Sequence, residues 1–149
     1  MQSVEIKGLD KVIRSLDTLP DVIRQARVEA LEAEAEPLLA LVQQGIGRGP
    51  RRAGDSHMHI ADVQSTFMGS GKGYLAVRAK AKTDIVSPRG KRHAAGYVTN
   101  ALENGHKAAG GGRVGGKYMY ANARPAAEDA SRRLKEKIEK AVKEHFDDD

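Results

Sequence analysis

The chain contains no cysteine and no tryptophan, and only 4% of its residues are aromatic. Without cysteine there are no disulfides, no thiol catalysis and no thiolate metal sites. With so few aromatic rings the core must be aliphatic, built from Leu, Val, Ile and Ala, and base-stacking platforms are poorly supplied. No apolar run approaches the roughly 20 residues needed to cross a membrane. The opening Met1-Gln2-Ser3-Val4-Glu5 lacks the basic-then-apolar order of a signal peptide, so a soluble protein that folds in the cytoplasm is expected. No internal repeat is present.

A length of 149 residues is the usual size of one domain, and residues 1–149 are read as one. A small aliphatic core leaves part of the stability to partner subunits. The net charge of +5 is unevenly spread. Residues 45 to 120 hold 13 Lys and Arg against 4 Asp and Glu, a net of +9, while the flanks hold 12 and 16, a net of −4. A basic middle attracts nucleic acid or an acidic protein surface, or is simply a set of solvated loops.

Val4, Glu5 and Ile6 read as a short strand that stops at Gly8. Leu9, Val12, Ile13 and Leu16 follow helical spacing until Pro20 breaks the helix. A second, long helix is expected over residues 21 to 44. Ile23, Ala26, Ala30, Leu31, Ala35, Leu38 and Val42 mark its apolar stripe, and Pro37 should kink or split it. Gly45, Gly47, Gly49 and Pro50 end it.

A basic loop over 48–57 leads to a strand over 58–67, then a glycine turn around Lys72. Leu75, Val77 and Ala79 alternate with Arg78 and Lys80, which predicts a half-buried strand with one basic face. Ile85 and Val86 begin another short strand. Residues 89–93 form a second basic loop. Tyr97, Val98, Ala101 and Leu102 fit one face of a short helix ending near Asn104-Gly105. A Gly-rich loop over 105–117 and an extended stretch over 118–124 follow. Pro125 suits the first turn of a last helix, striped by Ala127, Ala130, Leu134, Ile138, Ala141 and Val142. Residues 147–149 are an acidic tail expected to fray. The class is α+β: an antiparallel sheet packed against long N- and C-terminal helices, with Gly-rich basic loops.

Gly111 to Lys117 reads G-x-x-x-x-G-K, one residue short of a phosphate-binding loop. Position 118 is Tyr, so the hydroxyl for magnesium is missing. No buried apolar strand is expected before it and no helix directly after it, so the phosphate would lack amide donors and a helix dipole. His57 and His59, with Asp55 and Asp62, suggest a metal site, but no third His lies nearby and an incidental pair is the simpler reading. His93 and His106 read as isolated. There is no G-x-S-x-G elbow. Pairs such as Glu32/Glu36 and Glu136/Glu139 read as surface charge. Nothing argues for an enzyme, a metal or a cofactor.

Several separated stretches share one order. Val4-Glu5-Ile6-Lys7-Gly8-Leu9-Asp10 opens the chain, followed by a Leu-Pro and a long helix. Arg52-Ala53-Gly54-Asp55 comes next, and then Tyr97-Val98-Thr99-Asn100-Ala101-Leu102-Glu103-Asn104-Gly105-His106. Ala123-Arg124-Pro125-Ala126-Ala127-Glu128 precedes the last helix. This order resembles the tail-completion (minor tail, head–tail joining) family of long-tailed bacteriophages, over residues 4 to about 130.

The resemblance implies a non-catalytic structural protein of the virion neck, assembled in the host cytoplasm. It implies a homo-oligomeric ring, six-fold, between the head connector or stopper and the tail terminator or tube. On that reading Arg48, Arg51, Arg52, Lys107, Arg113 and Lys117 face partners, with Tyr118 and Tyr120 as docking aromatics. Arg78, Lys80, Lys82, Arg89, Lys91 and Arg92 face a DNA channel. The alternative is a basic nucleic-acid-binding module without sequence specificity.

Overall fold

A computed structural model describes residues 9–47, 60–86, 90–108 and 110–147. The strand expected at Val4 to Ile6, the basic loop 48–57, the His57/His59 pair and Arg89 lie outside the described residues.

Two long helices dominate: α1 (Leu9–Ile46) and α3 (Met119–Asp147). They run antiparallel. Ile46 and Val42 pack with Met119 at one end, and His145 Nε2 donates to the Ser15 carbonyl at 2.8 Å at the other. Between them lie three two-stranded antiparallel ladders and a short helix. The ladders are β1 (Gln64–Met68) with β2 (Leu75–Ala79), β3 (Asp84–Val86) with β4 (Arg92–Ala94), and β5 (Gly105–Lys107) with β6 (Arg113–Gly115). The short helix α2 (Ala95–Asn104) joins the second ladder to the third. The class is α+β, and the antiparallel pairing takes the form of three separate ribbons.

The core follows the aliphatic composition. Val42, Ile46, Ala61 and Met119 form a buried cluster, with Ile60, Val77, Leu102, Tyr120 and Ala123 packed around it. Thr66 opposes Val77 and Met68 opposes Leu75 on one face of the first ribbon, from which Val77 packs on the core, while Phe67 and Arg78 share the other face. Further along, Glu34 is buried on α1 and accepts two bonds from Arg133 of α3, Nε to Oε1 at 2.6 Å and NH2 to Oε2 at 2.8 Å. This bidentate pair holds the Glu34 carboxyl below its ordinary value, against the opposing effect of burial.

The prolines do not act as the sequence suggested. Pro20 does not break a helix and Pro37 does not split one: α1 is continuous through both. Each proline removes one amide donor from the ladder, a local loss that contact with α3 and the ribbons outweighs. Pro125 is likewise inside α3, because the helix starts earlier than expected, at Met119, where an extended stretch was predicted. The α1 stop is as expected: Gly47 takes a φ of +68°, and its N–H bonds the Gln43 carbonyl at 3.0 Å. The basic loop expected over 89–93 contains strand residues Arg92 and His93, and the Gly-rich loop 105–117 contains the β5–β6 hairpin. Both strands of that hairpin are glycine-rich, three residues long and lack alternation, so periodicity had nothing to detect.

Candidate interface: two clefts on either side of the short helix

The start of α3 is organised by one residue of α2. Glu103 accepts from the Tyr120 N–H through Oε2 at 3.0 Å and from the Ala121 N–H through Oε1 at 3.1 Å. Its own carbonyl accepts from Tyr118 N–H, and that of Leu102 accepts from Lys117 N–H at 2.8 Å. A carboxylate at a helix N-terminus satisfies amides that have no helical partner and matches the dipole. This also changes the reason for rejecting a phosphate loop. The strand before Gly111, β5, is polar and largely exposed, in keeping with the sequence reading, but a helix does start just after Lys117, at Met119, where an extended stretch is expected. The N-terminal amides that would hold an anion are already taken by Glu103.

The side of α2 that carries Glu103 faces inward. Gly96, Thr99, Asn100 and Glu103 share a cleft of about 480 Å³ with Val77, Arg78, Ala79 and Tyr120. Gln64 is buried and donates from Nε2 to Thr99 Oγ1 at 2.9 Å. The Tyr120 hydroxyl donates to Gln64 Oε1. Burial, and secondarily the negative charge of Glu103, push the Tyr120 phenol up to about 12. Tyr120 is therefore part of an internal network.

The other side of α2 lends Leu102 to the core cluster and is otherwise partly open. Tyr97, Val98, Ala101 and Leu102 share a groove of about 390 Å³ with Ile60, His93, His106 and Lys107. Its floor is apolar and its rim is basic. β4 supplies His93 from one flank, stacked on Tyr97 with ring centroids 6.2 Å apart. β5 supplies His106 and Lys107 from the other flank. The two histidines that read as isolated thus line one groove, because the ten residues of α2 return the chain between the two ribbons. Tyr97 is 70% exposed. In the third ribbon Lys107 stands directly opposite Arg113, a like-charge pair that weakens the ladder on its own.

The remaining expected site residues are scattered. Lys117 is exposed, and its Nζ donates to the Ile46 carbonyl at 2.7 Å and so caps the C-terminus of α1. Tyr118 is exposed, at a φ of +50°. Arg78 lies over the Phe67 ring at 3.7 Å on the face of the first ribbon that the two share. Lys80, Lys82, Lys91 and Arg92 are exposed on the segments that follow. Arg48, Arg51, Arg52 and Arg89 lie outside the described residues. The structure therefore brings Lys107 and Arg113 together on one rung of the ladder and leaves Arg78, Lys80 and Lys82 in β2 and the turn after it. Among the described residues no three His, Asp or Glu side chains gather as metal ligands, and no helix is long and apolar enough to cross a membrane. Comparison with protein-family models, with curated proteins and with solved structures gives no match to this chain.

Proposed function

We propose that the chain is a structural subunit of a bacteriophage neck, a tail-completion protein that assembles as a ring between head connector and tail. The ordered motifs from Val4 to Glu128 carry this reading. The surface supports it. Among the described residues the only large side chains under 2% exposed are Met119 and Val63, while Val12, Ile13, Leu16, Tyr74, Tyr97 and Tyr118 are each at least 47% exposed. A subunit with so small a core and so much apolar surface gains stability by association. Chemistry is not its task on this reading: the polar groups around α2 are committed to capping and to the Gln64–Thr99–Tyr120 network.

The deciding experiment is joining in vitro. Heads and tails from a phage with the gene disrupted are mixed with the purified chain, and infectious particles are counted. Full joining is expected, and a titre no higher than without the chain refutes the reading. A second reading, non-specific nucleic-acid binding, is favoured by Arg78, Lys80 and Lys82, all exposed in β2 and the turn after it. It predicts DNA affinity that falls steeply with salt as counterions are released.

A further inference from the structure

Two features of the chain are unfavourable where they stand. Lys107 and Arg113 are directly opposed on one rung of the third ribbon, and like charges in that position repel. At the far end of α3, the run Asp147-Asp148-Asp149 begins in the last helical turn, where the dipole favours cations. Elsewhere α3 balances its own charge, with Asp129 on Arg132, Glu139 on Lys135 and Glu144 on Lys140. The acidic run follows these pairs with three carboxylates in succession, against one lysine, Lys143, four residues before Asp147. Immediately before it stands Phe146, 41% exposed. An exposed ring followed by three carboxylates matches, in shape and in sign, an apolar groove with a basic rim.

We propose that the segment Phe146-Asp147-Asp148-Asp149 of one copy docks into the groove beside α2 of a second copy. The Phe146 ring occupies the floor made by Ile60, Val98, Ala101 and Leu102, and the aspartates meet Lys107 and Arg113. The volume of about 390 Å³ falls within the range of roughly 300–1,000 Å³ usual for small binding pockets. The contact cannot form within one chain. The groove sits at the N-terminal end of α3, where Leu102 packs with the Met119 cluster. The acidic run sits at the C-terminal end, roughly 42 Å away at 1.5 Å per residue. Phe146 and Asp147 are themselves held in α3, so they cannot fold back to that groove. A tail that fits only a neighbour's groove makes a head-to-tail contact, which closes into a ring or extends as a filament. This inference deepens the ring reading and rests on it for its biological setting.

The test is a charge exchange followed by sedimentation velocity at low salt. One variant carries Lys107→Glu and Arg113→Glu. The other carries Asp147→Lys, Asp148→Lys and Asp149→Lys. Each alone is expected to weaken self-association by about tenfold or more. Mixed in equal amounts they are expected to associate again, because each tail then meets a groove of opposite sign. Phe146→Ala is expected to weaken association at both low and high salt. Wild-type chain that stays monomeric, variants that associate like wild type, or a mixture that stays apart would each overturn the docking. So would duplex DNA that binds wild type and not the Lys107→Glu, Arg113→Glu variant while self-association is unchanged. The neck reading falls separately, by failure of the wild-type chain to join heads to tails.

Discussion

Gly115 and Gly116 are neighbours with opposite requirements. A Cβ on Gly115 meets nothing within 4 Å, whereas a Cβ on Gly116 would lie 2.2 Å from the Glu103 carbonyl oxygen. That oxygen belongs to the backbone and already holds the Tyr118 N–H, so it cannot yield without loosening the start of α3. Gly116→Ala should cost about 2–3 kcal/mol, and Gly115→Ala under about 0.5 kcal/mol, by urea denaturation. Tyr120 supplies a second residue-scale test. Its phenol is raised from 10.0 to about 12 in the folded chain, so its contribution is fully present below pH 10 and is lost as pH rises to about 12. Tyr120→Phe should lower stability at neutral pH by about 1 kcal/mol, because Gln64 loses a donor. It should also flatten the alkaline loss. A late-titrating tyrosine in the ultraviolet spectrum, absent from the variant, checks the assignment.

The helical elements were legible in the sequence because their apolar positions repeat at helical spacing. Ala30, Leu31 and Val42 on α1, and Ala130 on α3, are buried as that stripe requires. The existence and end of α2 were also readable, from four apolar residues and the Asn104-Gly105 stop. Helix continuity was not readable, because Pro20 and Pro37 report local cost and not the packing that overrides it. The start of α3 was hidden for a related reason: its cap, Glu103, lies 17 residues before Tyr120. Groove and hairpin were equally non-local, since His93 and His106 approach only through the turn of α2.

At this scale the Glu34–Arg133 pair is the specific tie between α1 and α3. The Glu34 carboxyl is held below 4.5, so its contribution is present above that pH and is lost as pH falls through the folded value. Arg133 is half exposed, which limits the worth of the pair. Glu34→Gln should therefore cost about 1–2 kcal/mol at neutral pH and remove part of the acid sensitivity, as read by melting temperature against pH.

The whole molecule is a long helical hairpin with its packed core at one end. The Val42, Ile46, Ala61 and Met119 cluster joins α1, α3 and the segment before β1, whereas the other end exposes Val12, Ile13, Leu16 and Phe146. Among the described residues that second end carries a polar tie. His145 Nε2 lies 2.8 Å from the Ser15 carbonyl and 3.0 Å from Thr18 Oγ1. The Thr18 hydroxyl in turn donates to the Arg14 carbonyl at 3.0 Å, so the ring nitrogen is the donor to both Ser15 and Thr18. Local opening has a free energy set by the contacts it breaks, and among the described residues the buried apolar cluster lies at the other end. The amides of α1 near Ser15 and Thr18 should therefore exchange with solvent well before those near Val42. His145→Ala should speed the early set by about tenfold, the equivalent of roughly 1.4 kcal/mol, and leave the late set unchanged. Equal acceleration of both sets would mean that the hairpin opens as one unit and that the Met119 cluster does not act as a separate anchor.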